Sequence, residues 1–259
     1  MSYDVSLFVG DLLRSCGLIA LALALGGIFW AALGVRRADI PEVTKNRILD
    51  HSLRLAAIGA ALVAITQGLG VMAKAQALAG ALNVSPYPDF FETTAFQTGL
   101  IRTLFAALLG GAVVWLRRDH SSSLRWGAVF GAAALLITTG AWQAHGASRA
   151  QDREILMTLT VLHQLGAAVW VGGVLHLIAL WRLIKKAPDL AAHPGLWPGL
   201  LARFTPIGIA AVVLIAGTGG VLAFDYVDNL NGLIGTAYGS ILSVKWILAA
   251  CALGFAGLV

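Results

Sequence analysis

Histidines inside an apolar stretch of this sequence are candidate metal or haem ligands, because imidazole binds both. His163 and His176 lie in one such stretch, LHQLGAAVWVGGVLHLIALW, which covers residues 162–181. If this stretch is an α-helix, the two side chains are separated by about 20 Å along its axis and by a rotation of about 220°. They are therefore expected to point to nearly opposite faces and to serve two different levels of the protein.

The elements that position these histidines are predicted to be membrane-spanning helices. Hydrophobic residues make up 58% of the 259-residue chain, charged residues only 12%, and the mean hydropathy is +0.81. A soluble domain carries about 25% charged residues, and a spanning helix needs about 20 mostly apolar ones. We therefore predict an all-α transmembrane bundle, one domain over 1–259, with seven spans: 6–35, 52–82, 97–116, 125–144, 156–181, 204–224 and 240–259. The sequence stops inside the apolar run LAACALGFAGLV, so an eighth span is expected in the full-length protein.

The loop charges predict the orientation of the bundle. Basic residues cluster around the first, third and fifth connections, and the alternate connections carry few. The positive-inside rule places these three basic loops in the cytoplasm and the N-terminus outside. His120 and His193 fall in the basic loops, where His193 is expected to be solvated. The net charge of +5 is explained in this way, and with no aromatics interleaved in a basic patch, nucleic-acid binding is not expected.

This orientation arranges the histidines in two pairs. His145 and His163 fall at similar depths toward the outside, whereas His51 and His176 fall at similar depths toward the cytoplasm. The sequence thus predicts an outer pair and an inner pair, whose members are candidate metal ligands. Two methionines toward the outer side add thioether sulfur, a ligand that suits Cu(I), to the outer level: Met72 and Met157.

Four charged residues fall in the outer half of the predicted spans: Asp11, Arg14, Arg102 and Lys245. A charge at membrane depth costs several kcal/mol unless it is paired or hydrated, about 3 kcal/mol on insertion scales. Asp11 and Arg14 are three residues apart, which favours a local ion pair. Arg102 and Lys245 have stems long enough to reach the outer head groups. The functional alternative is a water-accessible vestibule that opens to the outside.

A stripe of small residues accompanies His163 on its helix. Gly166, Trp170 and Gly173 follow at offsets of three, seven and ten residues, so all four share one face. Small residues allow a second helix to approach closely, so this stripe predicts helix packing with the tryptophan filling the remaining space.

Three motifs in order resemble the CopD (copper resistance protein D) family of bacterial inner-membrane proteins: LHQLGAAVWVGGVLHL, ARFTPIGIAAVVLIAGTGGVLAF and TAYGSILSVKWILAACAL. The resemblance covers about residues 145–255. It implies copper handling in the cytoplasmic membrane, with uptake toward the cytoplasm and a periplasmic copper-binding partner of the CopC type. The positions that match the family's motifs are His163, Trp170, Gly172, Gly173, Tyr238, Gly239 and Lys245.

Three functions therefore stand as hypotheses. The first is copper binding and transport, with entry near the outer pair and exit near the inner pair. The second is a b-type cytochrome that carries electrons across the membrane, because two histidine pairs at two depths would suit two bis-histidine haems. The third is a non-catalytic membrane subunit whose histidines are structural. No nucleophile and base, and no carboxylate pair in a span, indicate a hydrolytic enzyme.

Overall fold

The computed structural model of the chain describes residues 3–82, 87–142, 152–193 and 195–226, together with 243, 244 and 247. All regular elements in these ranges are helical, as predicted. In chain order they are α1 (Tyr3–Phe29), which continues into a π-helical turn (Trp30–Val35), α2 (Glu42–Leu82), α3 (Tyr87–Glu92), α4 (Thr94–Leu116), α5 (Ser123–Trp142), α6 (Arg153–Lys186), α7 (Pro188–Ala191) and α8 (Leu196–Tyr226).

Six of these helices are long and apolar enough to cross a membrane: α1 with its π-helical turn, α2, α4, α5, α6 and α8. They match the first six predicted spans, and the predicted seventh, 240–259, lies outside the described residues. Several helices are longer than the apolar runs that predicted them, since α2 begins at Glu42 and α6 ends at Lys186. A helix continues past its apolar run where polar residues also form helix readily.

Two short helices, α3 and α7, lie between the long helices. The segment before α4 contains α3, and Thr93 caps α4 by accepting a hydrogen bond from the Phe96 amide at 3.2 Å. The Phe96 ring contacts Phe90 and Phe91, with ring centroids 5.7 and 4.9 Å apart. The aromatic residues thus pack together where the chain enters α4. The connector between α6 and α8 also contains a helical turn, α7, which the sequence did not predict.

The chain divides into two compact units, Met1–Ile215 and Ala216–Val259. In the first unit, α1 packs against α2 and α6, α2 against α4, α4 against α5, and α5 against α6. These five helices therefore form a closed ring, in which each helix contacts the next and α6 contacts α1. Buried alanine, leucine, isoleucine and valine side chains, together with Trp30 and Trp126, form their common core.

Glycines allow α1 to approach its neighbours at backbone distance. A Cβ on Gly59 of α2 would lie 2.6 Å from the Ala24 nitrogen of α1, and a Cβ on Gly26 of α1 would lie 2.6 Å from the Ala168 oxygen of α6. Opposite Gly26 lies Gly172, whose own Cβ would overlap the Ala22 carbonyl oxygen. In lipid, where the hydrophobic effect does not hold helices together, such close backbone packing is a main source of association.

Ion pairs join the predicted basic loops at one end of the bundle, which we name the basic end. Asp50 of α2 accepts hydrogen bonds from Arg117 Nε, at the end of α4, at 2.9 Å and from Arg54 at 3.2 Å. Two further contacts connect α2 with α7 and the end of the π-helical turn with α5: Arg47 pairs with Asp189, and the Arg36 guanidinium lies 5.5 Å from the Trp126 ring. The three basic segments therefore share one end, as their alternation along the sequence predicts.

Candidate functional site

His176 is held inside the first unit between α6, which carries it, and α1. His176 is only 1% exposed, and its Nε2 lies 2.9 Å from the Leu23 carbonyl oxygen of α1. Because a carbonyl only accepts, Nε2 must donate, which leaves the lone pair on Nδ1. Nδ1 is buried and has no hydrogen-bond partner among the residues that the structure describes. A fixed imidazole with an unpartnered lone pair is a ready metal ligand.

The slot for this imidazole exists because residue 27 is glycine. A Cβ on Gly27 of α1 would overlap the His176 ring, and it would lie 3.0 Å from the Ala56 Cβ of α2. The ring thus lies where α1, α2 and α6 meet. Three residues further along α1 the π-helical turn begins at Trp30, and single π-helical turns of this kind are frequent at functional sites.

His51 of α2 faces the same region. Its ring is close enough to that of His176 for their charges to interact. His51 is half-buried, and its Nε2 is buried without a partner in the described part of the chain. The predicted inner pair therefore contributes two imidazole nitrogens, one from each histidine, that no described group occupies.

The described residues contain no group of three or more histidine, cysteine, aspartate or glutamate side chains able to hold a metal ion. Structural metal sites are closed by three or four protein ligands. The inner pair contributes two imidazoles, fewer ligands than such a closed site has.

His163 faces the opposite side of α6 from His176. Its Nδ1 lies 3.2 Å from the Ile215 carbonyl oxygen of α8, whereas His176 contacts α1. The prediction that the two side chains point to different faces of the helix is thus confirmed. The two histidines do not share a site.

The stripe around His163 is a packing surface for α8, as predicted. A Cβ on Gly166 would lie 3.1 Å from the Ala211 oxygen of α8, and a Cβ on Gly173 would overlap the Phe204 ring. Trp170, between the two glycines on this face, is half-buried.

The predicted outer site is described only in part. His145, Tyr238 and Lys245 lie outside the described residues. Met157 is half-buried, but Met72 is 65% exposed, so the Met72 thioether is not enclosed by the helices around it. The pairing of His145 with His163 stays a prediction.

A cavity of about 170 Å³ lies between α1, α2 and α4, in the half of these helices away from the basic end. Asp11 and Arg14 both line it, but they do not form the predicted ion pair, for the described side chains include no such bridge. That prediction is wrong. A third charge, Lys74 of α2, also lines the cavity and was missed, because nothing in the sequence brings residue 74 next to residue 11.

Arg102 does not extend to the head groups, so this prediction is also wrong. The residue is 4% exposed, and its Nη1 donates across the bundle to the Leu136 carbonyl at 3.3 Å and to Thr139 Oγ1 at 3.2 Å. Gly140 leaves space for the guanidinium, because a Cβ added at this position would lie 3.0 Å from Arg102 Nη1. Two buried atoms here have no partner within the described ranges: Arg102 Nε and Gln164 Oε1.

We expect Arg102→Met to leave thermal stability unchanged or to raise it. The Arg102 guanidinium has no carboxylate partner among the described residues and so carries a desolvation cost, and even whole buried ion pairs can often be replaced by apolar residues with a neutral or stabilising effect of about 1–4 kcal/mol. The Thr139 hydroxyl keeps its own hydrogen bond to the Leu136 oxygen, at 2.6 Å. The unfolding midpoint in detergent would be compared with that of Arg118→Met, a substitution at an exposed position. A midpoint several degrees lower in Arg102→Met alone would contradict the prediction.

Comparison with known proteins adds one relative. Copper transport protein CutJ of Bacillus subtilis (strain 168) is 28% identical to this chain over an alignment of 238 residues, and the match covers 87% of this chain and 41% of that protein. The chain is a distant relative of a copper transport protein. It spans less than half of the relative's length. No family model matches the chain. No solved structure matches it either. Together with the six apolar helices, the likeness indicates a multi-pass membrane protein related to copper transporters.

Proposed function

We propose that this chain binds copper within the membrane and passes it across, with His51 and His176 as ligands in the half nearer the basic end. The observation that carries the proposal is the His176 imidazole, which is fixed by the Leu23 carbonyl and has an unpartnered, buried Nδ1. His51 adds a second unpartnered nitrogen within electrostatic range. The likeness to a protein named for copper transport supports copper as the metal.

The chemistry of the inner pair suits copper cargo. Imidazole nitrogen is a good copper ligand, and neutral imidazole adds no charge that must be buried with the metal. Sulfur ligands are placed elsewhere, because the described sulfur-containing residues all lie in the other half of their helices: Cys16, Met72 and Met157. In the half with the basic end, histidine is therefore the ligand type that the described sequence supplies.

The proposal also covers how the chain is oriented in the membrane and its membership of the CopD family. By the positive-inside rule the basic end faces the cytoplasm, so the N-terminus of α1 faces the periplasm of a bacterial inner membrane. Copper would then enter near His145 and His163 and leave near His51 and His176, as the resemblance to the CopD family implies. A CopC-type periplasmic protein is the copper donor that this resemblance suggests.

The packing around His176 does not support the cytochrome alternative at this level. An axial haem ligand needs a nitrogen lone pair directed at an open space large enough for the macrocycle. Here Nε2 donates to Leu23, and the ring lies against Gly27 and near Ala56.

Metal analysis and one absorption spectrum of the purified protein test the proposed function. We expect copper to remain bound, in an amount comparable with the protein, after loading with Cu(I) and removal of excess by gel filtration. We also expect no Soret band. A chain that retains no copper would overturn the proposal, and a Soret band would replace it by the cytochrome. Changing His51, His145, His163 and His176 together to alanine should abolish copper retention. If the variant still retained copper, other groups would hold the metal and the proposal would be overturned.

A further inference from the structure

One more histidine at the basic end has a buried, unpartnered nitrogen. His120 lies in the turn between α4 and α5, where an imidazole is expected to be hydrated. It is instead half-buried, and its Nε2 has no partner in the described part of the protein. Unpartnered side-chain nitrogens of this kind occur on three described histidines, His51, His120 and His176, and all three lie in the half of the bundle with the basic end.

The turn that carries His120 is fixed in place. The His120 carbonyl oxygen accepts a hydrogen bond from Trp126 Nε1 at 3.0 Å, and Trp126 is 3% exposed. The Trp126 ring stacks on Phe130, with centroids 6.0 Å apart, and lies under the Arg36 guanidinium. The backbone of the turn that carries His120 is therefore held against a buried residue of α5.

Asp50 connects this histidine to the inner pair. Its carboxylate lies within electrostatic range of both the His51 and the His120 rings. Two arginines hold the carboxylate in place: Arg117 Nε at 2.9 Å and Arg54 Nη2 at 3.2 Å. The His51 and His120 rings therefore both lie near one carboxylate whose position is fixed.

We propose that His120 is the exit ligand for copper, the third imidazole in a sequence from His176 through His51 to the basic end. This inference rests on the proposed copper function and extends it. Each step is an exchange of one neutral nitrogen ligand for another on Cu(I), so the metal keeps its oxidation state and no proton is required.

Copper flux into proteoliposomes tests the inference. The full chain is reconstituted in phosphatidylcholine vesicles that enclose a Cu(I)-responsive dye, and His120→Gln is compared with His193→Gln, which changes an exposed histidine near the same end. We expect His120→Gln to slow the flux about tenfold, the loss typical of removing a group that supports a metal site. His193→Gln should equal the wild type. Bound copper in detergent should be retained in both, because the inner pair is intact.

A rescue separates a ligand role from a structural one. We expect His120→Cys to restore most of the flux lost in His120→Gln, since thiolate is a strong Cu(I) ligand, whereas a role in packing would not be restored by cysteine. Equal flux in His120→Gln and His193→Gln, or a failure of His120→Cys to recover it, would overturn the inference and leave the proposed function in place. Absence of bound copper and of flux in the wild type would overturn both.

Discussion

His176→Gln is expected to weaken Cu(I) binding by at least about tenfold while the helices stay packed. The glutamine amide can still donate to the Leu23 oxygen, so the contact between α6 and α1 that the imidazole makes at 2.9 Å is retained. An amide nitrogen has no lone pair for a metal, so only the ligand is lost. The affinity is measured by competition with a coloured Cu(I) chelator, in detergent, for the wild type and the variant.

The matched control for this prediction is His193→Gln, the same change at an exposed histidine near the basic end. Its affinity should equal that of the wild type. His51→Gln should weaken binding in the same direction as His176→Gln, because the two rings are within electrostatic range and each leaves one buried nitrogen unpartnered. If His51→Gln and His176→Gln both bind copper as tightly as His193→Gln, the inner pair is not the metal site.

The helices, their common basic end and the opposite directions of His163 and His176 could be predicted from the sequence, because each depends on local quantities. Apolar length determines a span, loop charge determines which ends lie together, and helical rotation determines the face. The hydrogen bonds of His163 to α8 and of His176 to α1 confirm the last of these. None of the three requires knowledge of which helices are neighbours.

The predictions that were wrong all depended on neighbours. The Arg102 side chain is long enough to reach the head groups. It instead enters a space across the bundle beside Gly140 and Thr139. Asp11 and Arg14 have the spacing of a helical ion pair, yet both line a cavity formed with α2 and α4. The loop position predicted for His120 is confirmed, but the sequence did not show that its Nε2 is buried.

Gly172→Ala is expected to lower the free energy of unfolding by about 3 kcal/mol or more, the upper end for overpacked sites. The added methyl would overlap the Ala22 carbonyl oxygen and lie 2.8 Å from the Gly26 Cα. Both neighbours are backbone atoms of α1, which cannot rotate away as a side chain can, so α1 and α6 must move apart. Unfolding in detergent followed by tryptophan fluorescence measures the loss.

Gly131→Ala is the matched control, because a Cβ on this glycine of α5 would meet no atom within 4 Å. It should change the free energy of unfolding by no more than about 0.5 kcal/mol, as substitutions away from packed contacts usually do. Gly172 also lies one helical turn before His176, and both contact α1. Moving α1 away would therefore break the hydrogen bond that orients the imidazole, so Gly172→Ala should bind copper more weakly than Gly131→Ala. Equal stability of the two variants would show that α1 and α6 are not packed at backbone distance.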